Sequence, residues 1–497
     1  MFLLRRCSSE RHLRAAHALF LVGSLHLHPF ALSRLILAAC SLRPPALPYA
    51  SLLFHHSPYP PNTFAHNALI RAHARGPHPL AALPLFRRLL ASAAADHLSF
   101  PFVLAACAAS GALVDGAQVH SLVVKNGLSS ADPYVQTALL RLYSHAIDDA
   151  PKLFDEIPNP DAVHYDVMMN AFIRRGVPSE ALRLFDRLLL SNLEPDNFAV
   201  TTALTACAHA GALEQGVQIH KYLAAKDAPI PVKDTFLGSA LVSMYAKCGC
   251  IKDAVEVFDA VPTRNNHMWA TMIGAYAMHG FPEKAIACLR RMQEEDQLRP
   301  DGVVLLGALA ACAHAGRLED GLLLLGDMEA KYAVSPEHEH YSCAVDMLCR
   351  VGRLEEALRL IRRMPMRPLA SVWGSLLTGC RIQGNVELAE TAVAELQRFT
   401  EGDGDDEGVY VQLSNIYLNA DRKEEACRVR KLVGSRGSKK TPARSAIHVE
   451  GKASSFVAGD QAHPRRTEIW TMLEALTDHI SSCAEDDKPF HGSEMHA

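Results

Sequence analysis

The sequence predicts an all-α fold in which helix-turn-helix repeats stack into an α-solenoid. Three sets of recurring phrases predict it. The first is RCSSERHLRAAH (6–17), ACAASGALVDGAQVH (106–120), ACAHAGALEQGVQIH (206–220) and ACAHAGRLEDGLLLL (311–325), carrying Cys7, Cys107, Cys207 and Cys312. The second is ALIRAHARGPHPLAALPLFRRLL (68–90), MMNAFIRRGVPSEALRLFDRLL (168–189) and MIGAYAMHGFPEKAIACLRRM (272–292). The third is ALLRLYSHAIDDAPKLFDEIP (138–158), ALVSMYAKCGCIKDAVEVFDAVP (240–262) and AVDMLCRVGRLEEALRLIRRMP (344–365). Each period of about a hundred residues therefore holds three units of about thirty-five.

Every unit reads in the same order. An apolar helical stretch such as ALVSMYAKCG comes first, and a Gly or a short polar break ends it. A second helix follows, amphipathic through Ala181, Leu184, Phe185 and Leu188 at i, i+3, i+4 spacing. A turn such as Pro195-Asp196 or Pro300-Asp301 closes the unit. Two short helices cannot bury their apolar faces alone, but stacked neighbours form one continuous core. The recurring Ala, Gly and Cys suit close helix contact. Cys107, Cys207 and Cys312 are therefore read as packing residues rather than redox or metal groups.

Bulk properties agree. At 497 residues the chain is too long for one ordinary core, and 49% apolar with 21% charged residues is the composition of a soluble protein. A net charge of −4 neither supports nor excludes a nucleic-acid partner, since local charge decides that. The thirteen cysteines include no C-x-x-C pair and are expected as reduced thiols. Apolar runs are too short to span a bilayer. The first fifty residues carry six arginines against Glu10 alone, the pattern of an organellar presequence. That places the chain in the mitochondrion or plastid, the mitochondrion ahead.

Order, spacing and wording together resemble plant pentatricopeptide-repeat proteins of the PLS subclass, whose motifs of three lengths alternate as P, L and S. The cysteine strings resemble L motifs, A-Y-A-x-x-G phrases resemble P motifs and M-Y-A-K-C-G an S motif. The resemblance implies a right-handed superhelix. It divides the chain into an N-terminal region at 1–28 overlapping a degenerate repeat, an array at 29–369, E motifs at 370–440, an E+-like extension at 441–480 and a polar tail at 481–497. The E motifs rest on residues 338–390 and on GVYVQLSNIYLNADRKEEACRVRKLV (408–433), the extension on FVAGDQAHPRRTEIW (456–470). The family usually has P-G-x-S-W-I-E-V before the extension, whereas PARSAIHV (442–449) lacks the Gly and Trp.

Members with a catalytic end carry a zinc-dependent cytidine deaminase domain, which needs a His ligand, a Glu for proton transfer and a C-x-x-C pair. FHGSEMHA (490–497) offers His491 and Glu494, but no C-x-x-C follows and only Cys483 is near. Three ligands cannot be assembled, so the expectation is a non-enzyme with no metal and no cofactor.

The resemblance implies that each unit reads one RNA base with two polar side chains, while apolar side chains of successive units sandwich it. The pairs fall at Ser33 with Asn62, Asn67 with Asp96, Thr137 with Asp161, Asp166 with Asp196, Thr201 with Asp234, Ser239 with Asn265, and Ala270 with Asp301. With the protein's N-terminus facing RNA 5′, adenine is implied at Ser33/Asn62, a pyrimidine at Asn67/Asp96, guanine at Thr137/Asp161 and adenine at Ser239/Asn265. Asp166 and Ala270 lie outside the usual pairs, Ser342 is matched by Leu369, and the L unit of Pro101 and Asp132 reads poorly. The same residues are also ordinary helix caps. Basic residues at 422–444 suit either phosphate contact or a solvated helix face, and EGDGDDEG (401–408) a solvated insertion.

The leading function is sequence-specific binding of single-stranded organellar RNA. Its task would be site recognition for C-to-U editing, with a deaminase recruited in trans through residues 370–480. RNA splicing or stability is the alternative within the family. A tetratricopeptide-like protein scaffold is the alternative outside it, against which the missing W-x-x-L-G-x-x-Y wording argues.

Overall fold

The computed structural model describes residues 4, 7–25, 28–42, 45–57, 61–92, 94–128, 132–144, 149–191, 193–224, 234–398, 407–434, 444–449, 452–457 and 465–486. Outside these lie 401–406 of the acidic loop, Arg436, Lys439 and Lys440 of the basic segment, and His491 and Glu494 of the tail.

Helices follow one another in hairpins. After α1 (Glu10–Val22) come α2 (Pro29–Ser41) with α3 (Leu47–His55), α4 (Thr63–Ala74) with α5 (Ala82–Ala91), and α6 (Ser99–Ala109) with α7 (Leu113–Lys125). Next are α8 (Pro133–Tyr143) with α9 (Ala150–Asp155), α10 (Ala162–Arg174) with α11 (Pro178–Leu190), and α12 (Asn197–Ala210) with α13 (Leu213–Ala224). Then come α14 (Thr235–Lys247) with α15 (Ile251–Ala260), α16 (Asn266–Met278) with α17 (Pro282–Glu295), and α18 (Gly302–His314) with α19 (Leu318–Tyr332). The series ends with α20 (His338–Arg350), α21 (Leu354–Arg362), α22 (Ala370–Gln383), α23 (Val386–Gln397), α24 (Glu407–Asn419) and α25 (Lys423–Gly434). Even-numbered helices are the first helices of the units. Two compact units divide the chain, Met1–Cys343 and Ala344–Ala497.

In the first unit each first helix from α2 to α18 packs on its own second helix and on the adjoining first helices of that series, two for each helix between the ends. The arrangement explains why these helices are apolar all round, as in GVVLLGALAACAH of α18. The second helices bury one stripe only. Ala181, Leu184, Phe185 and Leu188 of α11 are all buried, as the spacing predicts. One continuous cluster of buried side chains runs from Leu13 to Leu142. Cys107, Cys207 and Cys312 are fully buried in α6, α12 and α18. Burial pushes the Cys107 thiol up to about 11 and that of Cys207 to about 12, so neither forms the thiolate that attacks or binds metal.

The cysteine strings carry two further devices. Gly211 ends α12 in the left-handed region, φ 65°, a conformation that suits glycine. Gly216, five residues on, lies where α13 crosses α14, and a Cβ there would stand 2.5 Å from Met244 Sδ. Gly116 meets Leu142 in the same way, at 2.5 Å. The last residue of the string then tethers the same crossing. His220 Nδ1 lies 2.8 Å from the Tyr245 hydroxyl and His120 Nδ1 3.0 Å from that of Tyr143; His17 makes a similar bond, 2.7 Å, but to Tyr49 of α3. Burial holds His120 and His220 below the usual imidazole range.

In the second unit α22, α23, α24 and α25 repeat the hairpin stacking. Beyond them the all-α pattern stops. Strands β1 (Arg444–Val449) and β2 (Lys452–Val457) pair antiparallel, with Arg444 opposite Val457 and Val449 opposite Lys452. The signal was present in the sequence, since two short runs flank a two-residue Glu450-Gly451 connection. A final helix, α26 (Arg466–Asp486), follows. Among the described residues no helix is long and apolar enough to cross a membrane.

Glycine at helix crossings generates a sharp contrast. Gly379 of α22 rests against Cβ and Sγ of Cys349, whereas Gly274 of α16 has nothing within 4 Å of its missing Cβ. Gly379→Ala is expected to lower stability by about 1–3 kcal/mol through overpacking. Gly274→Ala is expected to be neutral or to stabilise by up to about 1 kcal/mol. Chemical denaturation of the two variants checks the difference.

Candidate nucleic-acid interface

The first turn of each first helix carries the residues in question. The closing residue of the preceding turn caps the helix, as the ordinary chemistry of Asn and Asp requires. Asn62 accepts from Ala65 N, Asp161 from His164 N, Asp196 from Ala199 N, Asp234 from Phe236 N, Asn265 from Met268 N and Asp301 from Val304 N. Asp132 caps α8 likewise. The second member of most pairs is thus a cap; Asp96 stands two residues before the cap position of α6, accepting from Leu98 N and Ser99 N. Capping uses one carboxylate oxygen and leaves the other free to do more. Asp234 Oδ2 accepts from Asn197 at 3.0 Å, and Asp301 Oδ2 from Asn266 at 3.1 Å. Those bonds, with Thr63 Oγ1 to Ala94 O and Thr235 Oγ1 to Thr263 O at 2.8 Å each, tie the start of one first helix to the turn before the next.

Two pairs are joined directly. Ser33 Oγ donates to Asn62 Oδ1 at 2.9 Å, and Asn67 Nδ2 donates to Asp96 Oδ1 at 2.9 Å. Ser99 Oγ completes the second network, 2.8 Å from Asn67 Oδ1 and 2.7 Å from Asp96 Oδ1. Burial raises the Asp96 carboxyl, but hydrogen bonds from Ser99 and Asn67 outweigh it and hold the group below the usual range.

The remaining pairs are not hydrogen-bonded to each other. Asp166 accepts from Thr202 Oγ1 at 2.6 Å and from Asn170 Nδ2 at 3.0 Å. It is half-buried, and desolvation, reinforced by the charge of Asp196, lifts its carboxyl above the usual range. The Thr201 hydroxyl is buried without a partner, and so is that of Ser342. Ser239 Oγ turns back to Thr235 O. Ala270, opposite the Asp301 cap, offers no polar atom. Leu369 begins α22 without a side-chain cap.

Thr137 and Asp161 share a groove of about 880 Å³. Its floor is the L helix α6, where Pro101, Ala105 and Ala108 are too short to fill it. Arg71 and Arg75 stand on one side, Arg141 on the other. Among the described residues none of these three forms an ion pair, whereas Arg264 is bound to Glu295 and Asp296 and Arg187 to Asp155. In the 422–444 segment Arg422 is paired with Glu425 and Arg430 bonds Ser414, the behaviour of a packed helix face.

A row of residues not singled out in the sequence completes the face. The second residue of most first helices is apolar and exposed: Phe30, Phe64, Tyr134, Val163, Phe198, Phe236 and Val303, with Tyr134 73% and Phe198 64% exposed, whereas α6 has the buried Phe100 there and α16 has His267. The signal was an apolar side chain two residues past most of the caps, Asn265 with His267 being an exception, where a helix start facing water has no use for one. The Phe198 and Phe236 rings approach to 5.9 Å, and the Arg34 guanidinium lies between Phe30 and Phe64. Exposed rings at one spacing, polar side chains beside them and unpaired arginines form a surface suited to unstacked bases and phosphates.

Comparison with known proteins agrees with this architecture. The chain matches a PPR repeat model at residues 239–265, 267–296 and 339–369, a PPR repeat family model at 160–209, and an E motif model at 383–448. The pentatricopeptide repeat-containing protein At3g28640 of Arabidopsis thaliana is 46% identical over 484 residues, 95% of each chain. The chain belongs to the pentatricopeptide repeat family. At1g59720 of the same plant, named chloroplastic/mitochondrial, is 35% identical over 85% of this chain and 67% of its own length. Among solved structures, the PPR protein PPR10 in complex with an 18-nt psaJ RNA element superposes with a TM-score of 0.60 at 18% identity, covering 83% of this chain and 61% of that one. The α-solenoid predicted from the repeats is thereby the observed fold. Among the described residues no group of three or more His, Cys, Asp or Glu is placed to hold a metal.

The half-buried Asp166 gives a test of the site's electrostatics. A carboxyl raised on folding makes the folded state lose stability as pH rises from about 4 towards the elevated value. Asp166→Asn keeps an acceptor for Thr202 and removes the charge. It is expected to match the wild type below about pH 4 and to exceed it in melting temperature at neutral pH.

Proposed function

We propose that the chain is a sequence-specific single-stranded RNA-binding protein of organellar RNA processing. Its most specific role would be site recognition for C-to-U editing, with a deaminase recruited in trans through residues 370–480. The observation that carries RNA binding is the Thr137 and Asp161 groove with its three unpaired arginines and its exposed ring Tyr134. A base can stack on the ring and meet the polar pair, while its phosphates meet guanidinium groups. The net charge of −4 is no obstacle, because the positive charge is local. The solenoid fold shared with an RNA-bound PPR protein supports the reading.

The editing role rests on the E motif at 383–448, in keeping with the family resemblance. No deaminase step is assigned to the chain. An organellar location is supported by the Arg-rich N-terminus and by relatives named chloroplastic/mitochondrial and mitochondrial.

Gel shifts with short RNAs test the pair assignments. Replacing Asn67 and Asp96 by Thr and Asn is expected to move the preference at that nucleotide from pyrimidine to adenine, by about tenfold. Unchanged preference would sink the base-contact reading. Arg71→Gln and Arg141→Gln are each expected to weaken all RNAs alike and to reduce the salt slope by about one. Transcriptome sequencing of a plant lacking the protein tests the editing role, which predicts loss of one or a few C-to-U sites; intact editing with altered splicing or transcript levels would overturn it.

A further inference from the structure

We infer that the Arg34 guanidinium occupies the base seat of the first readable unit, so that Ser33 and Asn62 hold no base and the RNA track begins at Asn67 and Asp96. The inference rests on the RNA-binding reading above. In that reading a base inserts between the exposed second residues of consecutive first helices, here Phe30 of α2 and Phe64 of α4. Arg34 Cζ lies 5.0 Å from the Phe30 ring centroid and 5.6 Å from that of Phe64. A planar cation between two aromatic faces fills the interval a planar base would enter. Among the described residues no other cation stands against two rings of this row.

The burial of the cation closes the seat, rather than the Ser33–Asn62 bond, whose like Asn67 and Asp96 also form. Nε of Arg34 is buried with no hydrogen-bond partner, so the guanidinium is partly desolvated, where attraction to ring faces is strongest. The Ser33 side chain is buried and its hydroxyl is turned to Asn62 Oδ1, the oxygen that also caps α4. An entering base would therefore have to displace the cation from both rings, so that its stacking gain is offset by the contacts it breaks. The other intervals differ. Phe198 and Phe236 meet edge to face, 5.9 Å between centroids, with no cation against both, and Tyr134 and Val163 border the open groove.

The test uses the full chain, wild type and Arg34→Ala, with RNAs whose nucleotide 5′ to the Asn67/Asp96 position is adenine, cytosine or abasic. The wild type is expected to bind all three within about twofold, while still discriminating pyrimidine from purine at the next nucleotide. Arg34→Ala is expected to open the seat and prefer adenine over the abasic RNA by about tenfold. Arg34→Leu, which keeps an apolar stem, gives a second opening should the alanine variant lose its helical circular dichroism. The inference is overturned if the wild type favours adenine at the first position as strongly as it discriminates at the second. It is also overturned if both variants stay indifferent there. Absence of discrimination at the Asn67/Asp96 nucleotide would instead overturn the RNA reading itself, and the inference with it.

Discussion

Everything else in the array depends on burying the first helices. Each is enclosed by its own partner and by the first helices on either side. A helix so enclosed must be apolar around its circumference and small where neighbours come closest. The Ala-rich wording of ACAHAG, the buried cysteines and the glycines at 116 and 216 all follow from that one demand. So does the location of the chemistry. With its sides covered, a first helix keeps its opening turn for solvent, together with the few positions facing a neighbour too short to reach them.

The alternation of unit types acquires a physical meaning from the same constraint. The L helix α6 presents Pro101, Ala105 and Ala108 where α4 and α8 present Asn67, Arg71, Thr137 and Arg141. Short residues between longer ones leave a hollow, and unpaired arginines at its rim give it a positive field. The strings that mark these L units also set the crossing of α13 over α14 and of α7 over α8. A glycine allows the approach there, and a His–Tyr hydrogen bond fixes it. The string thus works as a joint between units.

Much of this was legible in the sequence. Repeat length, helix order and the buried stripe of α11 follow from periodicity, because the solenoid repeats one local solution many times. The pairs were harder. Polar residues near a helix start are caps whatever else they do, and most of the closing residues proved to be caps. Which first members face their partner depends largely on a neighbour in the next unit: Ser99 draws Asn67 and Asp96 together, while Thr202, with Asn170 of the same helix, holds Asp166. Such contacts span about one repeat and leave no trace in the spacing of a single phrase. The exposed ring row was readable in principle, but an apolar residue stands out only once its helix is known to face water. The β1–β2 hairpin was missed because a helical repeat pattern was carried past the point where it ends.

The double duty of the cap residues has an evolutionary side. Asn, Asp and Ser are near equals at holding a helix start, with Thr and Gly close behind, whereas apolar side chains are poor at it. A recognition position placed on a cap can therefore exchange an amide for a carboxylate, inverting a donor into an acceptor, with little change in stability. An exchange to an apolar residue there loosens the helix as well. On the proposed RNA-binding reading, folding narrows that position to a short alphabet of capping residues before any ligand selects among them, and drift within that alphabet is a low-barrier route to a new target.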